Sequence, residues 1–326
     1  MQPQKSSSLR RRSLCLVALG LPWTAAFAQA FPSKPLTYVV GYGAGAGIDA
    51  VARIVAQRVG EGLGQPVVVE NRVGAAGSIA LDYLYRSAPD GYTILIAGAS
   101  ELIYQYASRN ARRDLLSDYT PVSLTGALPL VLAVSETLPV KSVDELVALA
   151  KSKPGKLNYA TVVGATPHFM SEAFNRSRGL DMTMVPYKSS HDAALDVATG
   201  RVEVMFTTVV AAVPLAKSGK IRVLGVTGKE RSSLLPDVPT MAEIGLPQID
   251  VGIGYYVLAP KGTPKEVIST LSAQWGRVMK MKDVQEKLAG LGIEPKSSTP
   301  EELEVALKSE AARWRRLVKD VGVQVD

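Results

Sequence analysis

The residues best suited to chemistry in this 326-residue chain sit in one turn, Val39-Val40-Gly41-Tyr42-Gly43-Ala44-Gly45-Ala46-Gly47-Ile48-Asp49. An apolar run leads into the turn and a helical pattern leaves it. Glycines let a backbone approach a bound group closely and keep amide N–H groups uncovered. A helix start adds a positive dipole end, so the turn suits an anion. Tyr42, Gly43, Ala44, Gly45 and Asp49 are therefore the first candidate binding residues. Asp49 can equally cap its own helix. The stretch Gly41 to Ala46 also fits the dinucleotide fingerprint G-x-G-x-x-A, with Glu70 as the ribose partner of an NAD-dependent dehydrogenase. Glu70, however, lies 29 residues beyond Gly41, farther than the usual interval of about 20.

A second set of candidates carries hydroxyls or a ring nitrogen. Ser100, Thr161, Thr166, Ser189, Thr207 and Thr208 stand at strand ends or helix starts, where a hydroxyl can donate or accept. His168 follows Pro167 at a helix start, and Tyr187 closes a strand. Each has a plainer role available. His168 can bond its own helix start, Tyr187 can be core, and Ser189 can cap the next helix. The chain holds two histidines and one cysteine, too few for most metal or relay sites. No G-x-S-x-G elbow, Ser-His-Asp spacing or paired-carboxylate motif stands out. No catalytic residue, metal or cofactor is expected, and no basic stripe with interleaved aromatics marks a nucleic-acid partner.

The N-terminus says where the chain works. Arg10, Arg11 and Arg12 precede an apolar run from Leu14 to Leu21, then small residues with A-x-A sites at Ala26–Ala28 and Ala28–Ala30. That order is a secretory signal peptide over residues 1–30, cleaved after Ala28 or Ala30. The run is shorter than the about 20 residues that span a bilayer. Adjacent arginines leave both the general and the twin-arginine export routes open. The expected site is the periplasm, where a nicotinamide cofactor pool is not expected. Removal of the signal takes Cys15 with it. The net charge falls from +7 to +3, because Lys5 and three arginines leave and no acidic residue does.

Strands alternating with helices then favour parallel sheets covered on both faces. Strands are expected at 36–41, 67–70, 93–97, 157–161, 182–187, 202–207 and 221–227. A helix over 49–63 ends at Gly64, and others begin near Ser78, Pro167, His191 and Val210. Ser142 to Glu145 and Thr299 to Glu302 read as capping boxes. The helix opened by Thr299 sets Leu303, Leu307, Ala311, Trp314 and Leu317 on one core-facing side.

Phe31-Pro32-Ser33-Lys34-Pro35 and the glycine turn running into Asp49-Ala50-Val51-Ala52-Arg53 resemble the receptors of tripartite tricarboxylate transporters, the Bug receptors. So do Gly64-Gln65-Pro66-Val67-Val68-Val69-Glu70-Asn71-Arg72, Ala88-Pro89-Asp90-Gly91-Tyr92-Thr93 and Leu157-Asn158-Tyr159-Ala160. Val185-Pro186-Tyr187-Lys188, Leu235-Pro236-Asp237-Val238-Pro239-Thr240 and Leu258-Ala259-Pro260-Lys261-Gly262-Thr263-Pro264 complete the series in order. The resemblance implies an α/β, two-lobed periplasmic binding protein of the type II kind, each lobe a doubly wound sheet. Lobe 1 would comprise 31–131 and 255–326, lobe 2 132–254. It implies a small carboxylate held in the cleft by Tyr42–Asp49 and by the segments around Thr161–His168 and Tyr187–Ser190. The expected partners are membrane permease subunits or, alternatively, a sensor domain, with the receptor a monomer.

Four departures from the family pattern bear on the ligand. Gly41-Tyr42 replaces proline-phenylalanine, Ile48 a threonine, Ser189 a glycine, and Thr207 an acidic residue. Loss of that acid disfavours amino-bearing ligands, so an anionic, non-zwitterionic ligand with an apolar or aromatic body is expected.

Overall fold

The computed structural model describes residues 31–228, 230–249 and 253–325. The signal-peptide reading and the cysteine fall outside these residues. The chain opens with β1 (Leu36–Val40), α1 (Gly47–Leu63), β2 (Val67–Asn71), α2 (Ser78–Arg86), β3 (Thr93–Gly98), α3 (Ala99–Ala107) and β4 (Tyr119–Leu128). A second group follows: β5 (Leu130–Ser135), α4 (Val143–Ser152), β6 (Asn158–Val162), α5 (Thr166–Arg178) and β7 (Thr183–Tyr187). It ends with α6 (Ser190–Ala198), β8 (Val204–Thr208), α7 (Val209–Lys217) and β9 (Ile221–Val226). The chain closes with β10 (Ile253–Pro260), α8 (Lys265–Met279), α9 (Lys282–Gly290), β11 (Glu294–Pro295) and α10 (Pro300–Val321).

These strands build two sheets, ordered β11-β4-β10-β3-β1-β2 and β7-β6-β8-β5-β9. The fold is two-lobed α/β, one sheet to each lobe. The chain passes from the first sheet to the second at Pro129, so all of Leu130–Ser135 belongs to the second. Thr227, just after β9, bonds back to that crossing through both its amide and its hydroxyl, each at 2.8 Å from Leu130 backbone atoms.

Neither sheet is wholly parallel, contrary to the expectation from alternation. β1, β2 and β3 run parallel, as do β6, β7 and β8. β10 is antiparallel to β3 and β4, and β5 to β8 and β9. The crossings explain this. The parallel strands end at the edge where the sheets meet. A strand that has just crossed must begin at that edge and run away from it.

Helix boundaries follow local chemistry. α1 stops at Gly64 in the left-handed region (φ +67°), where glycine carries no Cβ penalty. Ser142 caps α4 by accepting from the Glu145 amide at 3.1 Å. Thr299 and Glu302 form the reciprocal capping box that opens α10. Trp314 is fully buried on the inner face of α10, with Leu303, Leu307, Ala311 and Val318. Leu317 is only partly buried. One apolar core runs beneath α10, α2 and α3 and on to β5 and α5 of the second lobe. A second lies between the first sheet and α1, α8 and α9. Among the described residues no helix is long and apolar enough to cross a membrane.

Candidate functional site

A cavity of about 390 Å³ opens where the two lobes face each other. Tyr42, Ala75, Ala76, Ser100 and Tyr104 line it from the first lobe, Val163, Gly164 and Ala165 from the second, and Val325 from the C-terminal segment. The lining loops follow β1, β2, β3 and β6, at the carboxyl ends of parallel strands, where open α/β sheets bind ligands.

The glycine turn is held from behind. Asp49, 1 % exposed, accepts from the Gly45 amide at 2.8 Å, from Arg53 Nε at 3.0 Å and from Asn71 Nδ2 at 2.8 Å. Asn71 Nδ2 also donates to the Tyr42 carbonyl at 2.8 Å. Burial raises the Asp49 pKa, but these hydrogen bonds outweigh it and hold the carboxyl below its usual range. Of the two roles open to Asp49, the geometry assigns its carboxylate to the turn. Gly43 and Gly45 face open space, and Gly45 has φ +86°. Glu70, the ribose partner in the dinucleotide reading, is ion-paired with Arg72.

Two consecutive alanines, Ala75 (φ 45°) and Ala76 (φ 50°), sit in the left-handed region on the cavity wall. Such a residue costs about 1–2 kcal/mol and persists only where surrounding structure enforces it. Gly74 and Gly77 flank them at φ +140° and +88°. Sequence reasoning missed this Gly-Ala-Ala-Gly turn, although its paired glycines signal it.

The sequence analysis also missed Glu101, a carboxylate in an otherwise apolar stretch at the start of α3. It is fully buried. Its Oε2 accepts from the Gly98 amide at 3.0 Å and lies 3.4 Å from the Tyr42 hydroxyl. Its Oε1 is buried without a hydrogen-bond partner. Burial pushes its pKa up to about 8, against opposing hydrogen bonds from the Gly98 amide and Tyr42. Ser100, a predicted residue, lies on the cavity wall with Tyr42.

Flanking the facing wall segment 163–165, Thr161 is the penultimate residue of β6 and Thr166 begins α5; neither lines the cavity. Both are buried, and both hydroxyls lack a hydrogen-bond partner. His168 accepts from the Gly164 amide through Nδ1 at 3.2 Å, so it braces the cavity loop. Burial lowers its pKa.

The other predicted residues do not line this cavity. Tyr187 donates to Asp196 at 2.8 Å, and burial followed by that carboxylate pushes its pKa up to about 12. Ser189 caps α6, and Thr208 caps α7 with a 3.4 Å contact to the Ala211 amide. Thr207 is buried in β8, opposite Val131.

Comparison with known proteins brings a consistent set. Residues 51–323 match the model of the tripartite tricarboxylate transporter family receptor. The chain is 34% identical over 301 residues to Protein BugT of Bordetella pertussis, covering 91% of this chain and 92% of that one. Among solved structures, the R. palustris protein Rpa4515 with adipate superposes at TM-score 0.79 and 33% identity, covering 90% of this chain and 99% of that chain. MatC from Rhodopseudomonas palustris, with bound malate, superposes at TM-score 0.76 and 30% identity, covering 88% and 100%.

Proposed function

Since the chain belongs to the tripartite tricarboxylate transporter receptor family, we propose that it captures a small carboxylate in the cavity between its lobes and presents the closed form to a membrane permease. The family is one of periplasmic receptors, not of enzymes. The observation that carries the reading is the cavity itself, walled by strand-to-helix loops of both lobes. A ligand touching both walls is bound best when the lobes are shut, and so shifts the hinge equilibrium toward closure. Helix starts at α1, α3 and α5 surround the space with positive dipole ends. Thr161 and Thr166 supply buried hydroxyls not already engaged. Adipate and malate in the neighbours support the ligand class.

The lobes we propose follow the sheets: 31–129 with 253–325, and 130–249. Within the site we assign Tyr42, Ser100, Thr161 and Thr166 to the ligand, and Asp49 and His168 to the loops that present it. Cleavage after Ala28 or Ala30 and a monomeric state complete the proposal. The test is a thermal-shift screen of the chain from Phe31 against mono-, di- and tricarboxylates, amino acids and NAD. A ligand at 100 times its dissociation constant stabilises the native state by about 2.7 kcal/mol. A shift with a plain carboxylate supports the reading. A shift with NAD alone overturns it, and one with amino acids alone overturns the assignment of a non-zwitterionic ligand.

A further inference from the structure

Behind the cavity wall, the buried Glu101 carboxyl meets Tyr42, which lines the cavity. We infer that Glu101, acting through Tyr42, decides whether this wall offers a hydrogen or lone pairs, so that a carboxylate ligand is taken up together with one proton on Glu101. The inference deepens the carboxylate-receptor reading above and rests on it.

The argument is one of hydrogen-bond direction. When Glu101 is ionised it is acceptor-only, and the Tyr42 hydroxyl donates inward to it. Tyr42 then has only lone pairs left for the cavity it lines, the wrong face for a carboxylate. When Glu101 carries a proton, the bond reverses. Glu101 Oε2 donates to Tyr42, and the Tyr42 hydrogen is free for the ligand. Tyr42 is the available acceptor at Oε2, because the other neighbour of that oxygen, the Gly98 amide, is itself a donor. No charge is left in the wall in this state, which also removes repulsion of the anion.

The surroundings keep Glu101 apart from other titrating groups. On its own helix it is followed by Tyr104 and Gln105. Tyr255 and Tyr256 of β10 face it from the sheet, with Glu310 of α10, which accepts from Trp314 Nε1, beyond. From α2 and the loop after α3, Asp82, Arg112 and Arg113 approach across a small cavity of about 180 Å³. Asp82 and Arg113 neutralise each other at 2.6 Å. Across the ligand cavity, His168 has its pKa lowered by burial, so its titration lies below the range in which Glu101 responds. The Gly41 and Gly77 backbones close over Oε1, leaving Tyr42 as the path from Glu101 to the ligand.

The test is calorimetric titration with adipate, malate and citrate from about pH 6.5 to about pH 9.5, on the wild type, Glu101→Gln and Tyr42→Phe. The expected wild-type affinity is flat near neutrality and falls up to about tenfold per pH unit above about pH 8, the slope of one linked proton. Titrations near pH 8.5 in buffers of different ionisation enthalpy should report uptake of up to one proton per ligand. Glu101→Gln abolishes both the slope and the uptake, whatever its affinity at pH 7. Tyr42→Phe cuts the relay, weakens binding at pH 7 and shrinks the slope, and it serves alone if the glutamine variant does not fold. Equal slopes in the wild type and the folded variants, or a wild type without slope, overturn the inference while leaving the receptor reading intact. Absence of binding by all three acids at every pH overturns the receptor reading and the inference with it.

Discussion

Replacing Glu101 with glutamine should change how stability depends on pH between about pH 5 and about pH 8. The carboxyl is fully buried, and burial raises its pKa from 4.5 to about 8. In the unfolded chain it titrates at an ordinary value. Between about pH 4.5 and about pH 8, therefore, the folded state holds a proton that the unfolded state has released. The native state binds more protons in that window, so stability falls as pH rises through it. The slope is about 1.4 kcal/mol per pH unit, and the whole window of about 3.5 units corresponds to about 5 kcal/mol. Against the 5–15 kcal/mol typical of native proteins, that is a large share.

Urea unfolding of wild type and Glu101→Gln at unit steps from about pH 5 to about pH 9 isolates the effect. Glutamine does not titrate, so other ionisations cancel in the difference curve. A fixed cost of placing an amide where Oε1 now sits moves the curve up or down without tilting it. The expected difference declines steadily from about pH 5 and levels off above about pH 8. Parallel stability profiles for the two proteins would refute the buried, proton-holding carboxyl and the hydrogen-bond reversal that depends on it.

Other substitutions separate ligand contacts from scaffold. Asp49→Ala leaves the Gly45 amide and the Asn71 and Arg53 side chains without their acceptor, so chemical denaturation should show a loss of about 1–3 kcal/mol. The Asp49 share of stability has the usual sign for a lowered carboxyl: present at neutrality, lost as pH falls through the folded pKa. Ala76→Gly relieves a left-handed alanine (φ 50°) and should raise stability by about 1 kcal/mol in thermal unfolding. Gly77→Ala puts a Cβ into the buried Glu101 side chain at a φ of +88°; a loss of about 3 kcal/mol or more, or failure to fold in soluble-expression trials, is expected. Thr166→Val removes a buried hydroxyl that lacks a partner. It should leave the free protein as stable or up to about 1 kcal/mol more stable in urea, while weakening carboxylate binding in calorimetry.

What could be read from the sequence, and what could not, divides at the third residue of the helices around the cleft. The turn at Gly41–Gly47, the Ser142 and Thr299 caps and the inner face of α10 were legible because short-range chemistry determines them: glycine at positive φ, hydroxyls at helix starts, apolar residues on one side. The antiparallel β5 and β10 were not, because strand direction there follows from where the chain re-enters each sheet. Nor was it visible that Asp49, Glu101 and His168 share one job. Each stands third in its helix and folds back to accept an amide hydrogen from the backbone before that helix, Gly45, Gly98 and Gly164 in turn. The sequence left Asp49 and His168 open between contacting a ligand and bonding to their own helix starts. The geometry favours the second: a side chain already bonded to its own backbone has little left for a ligand. What then meets the cavity is Tyr42, Ser100 and Tyr104 with the Ala75-Ala76 and Val163-Gly164-Ala165 segments and Val325. Glu101 stands apart from the other two because one of its oxygens remains unpartnered and its second partner is a residue on the wall. A loop brace with a spare proton can pass the state of that proton outward, whereas Asp49, bonded on both oxygens, cannot.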